Sequence, residues 1–345
     1  MRTVYTDEHR HQDGKFELIE GKFLPPFEMP RRAQIVIDRV RSKKLGPVIA
    51  PDSFDLEPVH RVHDKGLVSF LQTAWDEWVQ AHGCYDALPI TWHTRGFRKK
   101  PPLPEVIDGK LSYYAIDAGT PITAGTWRAV KGAVDVALTG VKLVNGGEKA
   151  VFSLCRPPGH HAGTDFYGGY CFLNNAAIAA QAFRDLGAKR VCVLDVDYHH
   201  GNGTQEIFYH RADVLTISIH ADPLQEFPYF LGFADETGKG KGEGYHRNLP
   251  LRWGAKWDKY EEALTTAMKA LKKFSPDVVV VSLGLDTFKE DPISKFKLEH
   301  EDYLRMGEMI AGAKKPTLFV FEGGYAVDAL GINTVNVLSG FEGKR

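Results

Sequence analysis

Two His-His doublets stand out among the 14 histidines of the chain, because each follows a short apolar run. The first lies in Arg156-Pro157-Pro158-Gly159-His160-His161-Ala162-Gly163, directly after Ala150–Cys155. The second lies in Asp195-Val196-Asp197-Tyr198-His199-His200-Gly201-Asn202-Gly203, where Val191–Asp195 ends. In extended backbone, positions i, i+2 and i+4 point to one side, so Asp195, Asp197 and His199 can face a common point. Carboxylate with neutral imidazole is an oxygen and nitrogen ligand set for zinc, cobalt or iron(II). A remote carboxylate, Asp286 in Ser282-Leu283-Gly284-Leu285-Asp286, would complete three ligands and leave a position open for water and substrate, as catalytic sites do. Any one of these acids could instead cap a turn; the Asp-x-Asp-x-His run after an apolar strand is what favours a metal. His160 and His161, in a Pro-Pro-Gly frame, could then act as general base and general acid, or form a structural doublet. Tyr325, in Glu322-Gly323-Gly324-Tyr325, could donate to a developing oxyanion, although Gly-Gly-Tyr also describes a plain loop.

These segments need elements to hold them. Apolar, β-branched runs at Val48–Ala50, Ala150–Cys155, Val191–Asp197, Val214–His220, Val278–Leu283 and Thr317–Phe321 read as strands covered on both faces. Helical periods fill Ala33–Leu45, Leu67–Ala81, Trp127–Leu138, Asn175–Leu186, Trp257–Phe274 and Glu301–Ala311. Gly46 and Gly187 fit left-handed C-terminal caps, and Asn174 or Asn175 suits an N-cap. Strand–helix alternation predicts a single-domain, doubly wound α/β fold with a mostly parallel sheet flanked by helices. In such sheets, sites form outside the carboxyl ends of the strands. The four chemically loaded segments all sit at such ends, so they are expected to share one crevice. The stretch Gly83–Thr126, rich in proline and aromatics, has little period and is too long for an ordinary connection. It reads as an inserted loop that walls a site or meets a second subunit, with a mobile excursion as the alternative.

Composition narrows the class. Hydrophobic residues make up 43% of 345 and charged residues 25%, which suits a soluble globular chain. Lys and Arg number 43 against 44 Asp and Glu, for a formal charge of −1, so the field expected of a nucleic-acid or membrane-surface binder is missing. Cys84, Cys155, Cys171 and Cys192 are far apart with no CxxC pair, which argues against a disulfide framework or thiolate zinc site. The first residues lack an apolar signal core and no apolar run approaches membrane-spanning length, so a cytoplasmic protein is expected.

Taken together, these residues resemble the bacterial acetylpolyamine amidohydrolases, of the histone deacetylase and arginase-like superfamily. The matching words are Ser153 through Gly163, Gly168-Gly169-Tyr170-Cys171-Phe172-Leu173-Asn174-Asn175, Asp195 through Gln205, Ser282 through Phe288, Asp291-Pro292-Ile293 and Glu322-Gly323-Gly324-Tyr325. The likeness reaches the early Pro25-Pro26-Phe27-Glu28, so residues 1–345 are expected to form one deacetylase domain with an arginase/deacetylase-like fold. The resemblance implies Asp197, His199 and Asp286 as zinc ligands, with Fe2+ or Co2+ as substitutes. It implies His161 as general base and acid, His160 as its electrostatic neighbour held by Asp195, and Tyr325 as the group that polarises the scissile carbonyl. Asn202 falls where many histone deacetylases have an Asp, which should leave His161 less strongly paired. Tyr170 and Phe227 match the aromatic walls of a narrow acyl-lysine or acyl-polyamine tunnel. Structural potassium is implied at one site of Asp195, Asp197, His199, Ser218 and Ile219, and at a second of Phe208, Arg211, Val214 and Tyr245. The insertion, about 83–126, resembles the family segment that builds a homodimer and narrows the entrance. Asp108 lies where the family has one substrate-facing Glu; the other falls at Gly119, with Asp117 two residues earlier.

The implied reaction is hydrolysis of acetylputrescine, acetylcadaverine or acetylspermidine to acetate and a free amine. The substrate is thus a small cationic acetylated amine, with neither nucleic acid nor membrane as partner. Deacetylation of acetyl-lysine in proteins, or of another small acylamide, is the alternative. An arginase-like binuclear manganese site would want an Asp where Phe288 stands. A non-catalytic binding protein on this fold would be expected to lack a ligand, a His or the Tyr.

Overall fold

The computed structural model describes residues 1–92 and 101–344. Among them are ten strands: β1 (Arg2–Val4), β2 (Glu17–Ile19), β3 (Lys22–Leu24), β4 (Val48–Ile49), β5 (Ala150–Ser153), β6 (Val191–Asp195), β7 (Val214–Ala221), β8 (His246–Leu251), β9 (Val278–Leu283) and β10 (Thr317–Phe321). Eight form one sheet in the order β4-β1-β5-β10-β9-β6-β7-β8, and every pairing in it is parallel. β2 and β3 make a separate antiparallel hairpin.

The period-2 geometry of a strand divides the apolar residues between two cores. Val191, Val193, Val278, Val280, Leu318 and Val320 pack on one face, against helices that include Lys65–His82, Thr126–Asn145 and Asn175–Asp185. Cys192, Leu194, Val279, Val281, Phe319 and Phe321 pack on the other, against Arg31–Ser42, Trp257–Phe274, His300–Ala311 and Val327–Glu342. The single-domain, doubly wound arrangement follows directly from consecutive apolar residues in β5, β6, β9 and β10. No described helix is long and apolar enough to cross a membrane.

Several local expectations hold. Asn174 caps Asn175–Asp185 by accepting from the Ala177 amide at 2.9 Å, and Gly187 is left-handed at φ +101. Gly46 is different: the first helix ends at Ser42, and left-handed backbone falls on Lys44 instead. A Cβ at Gly46 would lie 1.9 Å from the Met1 carbonyl oxygen, so the glycine admits the N-terminal strand rather than capping a helix. The segment 83–126 is tied to the body in its described parts. Ala87 and Ile122 exchange backbone hydrogen bonds, Ile107–Tyr114 is helical, and Ile116 donates to the Tyr167 carbonyl at 2.9 Å. The remainder of the expected loop, residues 93–100, lies outside the described residues.

Candidate active site

The carboxyl ends of β5, β10, β9 and β6 are neighbours in the middle of the sheet, and the four loaded segments leave from them. Asp197, His199 and Asp286 come together there, with one ligand atom of each within 4.8 Å of the others, all three buried. His199 Nδ1 lies 3.1 Å from Asp286 Oδ2 and 3.5 Å from Asp197 Oδ1. Backbone amides fix the acids: His199 N donates to Asp197 Oδ1 at 2.9 Å, Gly323 N to Asp197 Oδ2 at 2.9 Å, and Tyr198 N to Asp286 Oδ1 at 2.8 Å. A Cβ at Gly323 would sit 2.6 Å from both Asp197 Oδ2 and Asp286 Oδ2, so only glycine lets that turn close over the pair. Burial and the charge of Asp197 push Asp286 up to about 7. Burial opposes the charge on Asp197, but His160 and His199 hold its carboxyl far below the usual range. Two buried, mutually repelling carboxylates converging with an imidazole nitrogen are what a divalent cation would satisfy.

His160 and His161 flank this trio with opposite electrostatics. His160 Nδ1 is 3.0 Å from Asp195 Oδ2; burial opposes its charge, but Asp197 and Asp195 push it up to about 10. His161 Nδ1 is 2.7 Å from Asn202 Oδ1. Burial, then the charges of His160 and His199, drive His161 well below the ordinary histidine value. Asn202 Nδ2 donates to the His161 carbonyl at 3.4 Å, which turns Oδ1 toward the ring. An amide oxygen can only accept, so His161 Nδ1 carries the proton and Nε2 keeps a lone pair. The rings stand 4.0 Å apart, and their surroundings push their proton affinities in opposite directions. Titratable neighbours pushed apart in this way suit distinct acid and base roles.

Aromatic rings surround the imidazoles. Phe227 meets His161 edge-on at 5.0 Å, and Tyr325 lies 5.5 Å from Tyr170, both between ring centroids. Tyr325 is buried, and burial raises its phenol well above the ordinary value, so it stays a donor. Tyr170 has left-handed backbone, φ +67, and its amide donates to Thr120 Oγ1 at 2.9 Å.

The acids expected to face substrate have other partners. Asp117 accepts from the Gly119 amide at 2.7 Å, from Thr120 Oγ1 at 3.0 Å and from the Gly169 amide, so its carboxylate ties the inserted segment to the Tyr170 loop. Asp108 lies 2.9 Å from His82 Nε2, outside the cluster. Gly119 and Tyr170 line a small cavity of about 10 Å³ with Gln12, Glu28 and Thr120. The sequence offered no signal for Glu17, which β2 buries with its carboxyl against the Tyr170 phenol; burial pushes it up to about 7. Nor did it mark the buried Glu28, Arg32 and Arg156, whose side chains pair behind the Tyr325 turn.

The residues named for potassium are also grouped. Asp195 and Ser218 are register partners on β6 and β7, beside a small cavity of about 10 Å³. Ser218 Oγ is 2.7 Å from His220 Nδ1, and Ile219 is in the core. In the second group, the Phe208 carbonyl accepts from Arg211 N at 2.9 Å, and the Tyr245 carbonyl from Thr216 N at 3.1 Å, near the start of β7 at Val214.

Residues 26–341 match the family model described as the histone deacetylase domain. Acetylpolyamine amidohydrolase 2 of Pseudomonas aeruginosa is 58% identical over 343 residues, 99% of each chain. The acetylpolyamine amidohydrolase of Mycoplana ramosa is 48% identical over 99% of this chain and 100% of its own. The crystal structure of acetylpolyamine aminohydrolase from Burkholderia pseudomallei superposes with a TM-score of 0.93 at 36% identity, covering 99% of this chain and 98% of the other.

Proposed function

The chain belongs to the histone deacetylase family and is a hydrolase acting on amides, and we propose that it cleaves small acetylated polyamines to acetate and free amine with zinc as its metal. The supporting observation is the convergence of Asp197, His199 and Asp286 at one point of the sheet, with His160 and His161 held beside them by Asp195 and Asn202. Acetylputrescine, acetylcadaverine and acetylspermidine are the proposed substrates.

Asp197, His199 and Asp286 would hold the zinc, and the same donors suit Fe2+ or Co2+. When bound, the ion supplies polarisation of the acyl carbonyl and a lowered pKa for water. His161 takes the water proton at Nε2, because its Nδ1 proton is engaged by Asn202. His160, charged and held by Asp195, places a fixed positive field beside the developing negative charge. The Tyr325 phenol donates to the oxyanion oxygen. The proton then passes from the imidazolium to the amine nitrogen as the C–N bond breaks, so water and amide become acetate and amine.

Glu17, buried with its carboxyl against the Tyr170 phenol, is the acid that favours a cation along the Tyr170 wall. Tyr170 and Phe227 form the sides of the substrate channel. The inserted segment narrows its entrance, and the exposed Ile90, Trp92, Leu103 and Val106 beside residues 93–100 form the homodimer face. Potassium at the two groups around β7 is structural, and the enzyme works in the cytoplasm. The engaged carboxylates of Asp108 and Asp117 favour a second reading, hydrolysis of acetyl-lysine in proteins or of another small acylamide.

The decisive experiment compares acetylputrescine, acetylcadaverine, acetylspermidine and an acetyl-lysine peptide on the zinc-loaded protein. Fast turnover of the diamines is expected, lost on chelation and regained with one zinc per chain. A preference for the peptide sinks the polyamine substrate, and no turnover of any amide sinks the hydrolase chemistry.

A second expectation concerns Asn202→Asp. A carboxylate behind Nδ1 stabilises the imidazolium, so the His161 pKa rises from its depressed position. The base form is then lost at a higher pH, and the acid limb of the kcat/KM profile moves upward. A limb that stays in place, or moves down, removes His161 as the titrating base.

A further inference from the structure

The phenol of Tyr325 can act only if the Gly-Gly turn that carries it is held, and the backbone of that turn is gripped from a segment outside the cluster. Asp291 is buried, with 6% of its surface exposed. Its Oδ2 accepts from the Tyr325 amide at 2.7 Å and from the Ala326 amide at 3.2 Å. Its Oδ1 accepts from the Ile293 amide at 3.1 Å, which locks the carboxylate orientation within its own loop. The Asp291 amide donates to the Phe288 carbonyl at 3.0 Å, so that loop is itself closed. On the other side of the same turn, Arg32 donates to the carbonyls of Glu322 and Gly324, both at 2.6 Å. Gly323 N is held by Asp197. Every peptide from Glu322 to Ala326 therefore has a fixed partner, and two of its amides rest on one oxygen of Asp291.

We propose that Asp291 is a positioning residue for the reaction, setting where the Tyr325 phenol meets the oxyanion through the Tyr325 and Ala326 amides. This rests on the reading of Tyr325 as the oxyanion donor. The phenol has little room to recover a displacement of its own Cα, because its ring packs against Tyr170, 5.5 Å between centroids, and against the Arg32 guanidinium, 4.7 Å from the ring centroid. A plain anchor for the helix Val327–Glu342 would make the same hydrogen bonds, so the test must separate the two.

The experiment is a double-mutant cycle on the zinc-loaded enzyme: wild type, Asp291→Ala, Tyr325→Phe and both together, with Asp291→Asn as the conservative variant. Asp291→Ala is expected to lower kcat by about 10–100-fold, as loss of a supporting hydrogen bond does. KM is expected to stay within about threefold, because the phenol acts on the transition state and not on bound substrate. Asp291→Asn, which keeps an accepting oxygen, should recover part of the loss. In the Tyr325→Phe background the same substitution should change kcat little. An equal loss in both backgrounds, with metal content unchanged, overturns the proposal in favour of a general structural role. So does wild-type kcat in Asp291→Ala.

Hydrogen exchange of the peptide spanning Gly323 to Ala326 reads the anchoring without turnover. Faster exchange there in Asp291→Ala is expected, and in Asp291→Asn if the alanine variant does not fold; unchanged protection overturns the anchor. Absence of amide hydrolysis by the wild type would remove the functional reading instead, and the exchange result would still decide whether Asp291 holds the turn.

Discussion

Tyr325→Phe is expected to lower kcat on an acetylated diamine by about 10²–10³-fold, the usual cost of removing one oxyanion donor. The substitution deletes a single oxygen from a buried ring that is otherwise fully packed, so the backbone turn and the metal ligands should not move. Burial keeps the phenol protonated at any working pH, and it therefore offers a neutral donor whose strength grows as the carbonyl oxygen becomes negative. A group of this kind stabilises the transition state more than bound substrate, so kcat should carry the loss while KM stays within about threefold. Steady-state kinetics at matched zinc content would check both numbers. A loss below tenfold would mean that the ion alone holds the oxyanion, and that Tyr325 serves mainly as a wall of the channel.

Much of this site was legible because its chemistry sits where sequence periodicity changes. Consecutive apolar residues in β5, β6, β9 and β10 can only be buried on both faces, and that fixes a doubly wound sheet. The candidate ligands and the imidazoles then appear within a few residues past those strands, where parallel α/β sheets form their sites. The Asn202 contact with His161 was expected from a single position and is present at 2.7 Å.

The parts that were missed lack periodic signal. β8 contains Arg247, Asn248 and Pro250, tolerated because it is an edge strand that needs one ladder only. β1 is three residues long. The final helix, Val327–Glu342, carries Gly340 where a Cβ would stand 2.0 Å from the Leu304 carbonyl oxygen; its glycine marks tight helix packing and lowers the helical pattern at once. The acids of the insertion have partners that the sequence does not announce. Carboxylates near the mouth of a site attract a substrate role, yet Asp117 closes its own turn and accepts from the Gly169 amide, a use that depends on residues 52 positions apart meeting in space. Glu28 is similar for one of its partners: Arg32 lies four residues on, but Arg156 is 128 positions away and no local pattern announces it.

Those arginines give the largest expected effect on stability. Glu28 Oε1 lies 2.8 Å from Arg32 Nη1 and 2.7 Å from Arg156 Nε, and Oε2 lies 2.9 Å from Arg156 Nη2. The guanidinium groups are fully buried and Glu28 is nearly so. Their remaining donors are taken by carbonyls, those of Glu322 and Gly324 for Arg32 and those of His9 and Gln12 for Arg156. Glu28→Ala would strip the counter-charge from two buried cations that repel one another. Removing one partner of a buried pair costs about 3–5 kcal/mol, whereas a surface pair is worth 1 kcal/mol at most. At about 2–4 °C per kcal/mol for a large domain, the unfolding midpoint should fall by roughly 6–20 °C. Glu28→Gln keeps an accepting oxygen but no charge, and should fall between the two. Calorimetry of the three proteins would order them. An unchanged midpoint for Glu28→Ala would require that water or a neighbouring acid reaches the guanidiniums, and that the Tyr325 turn owes its rigidity to Asp197 and Asp291 rather than to Arg32.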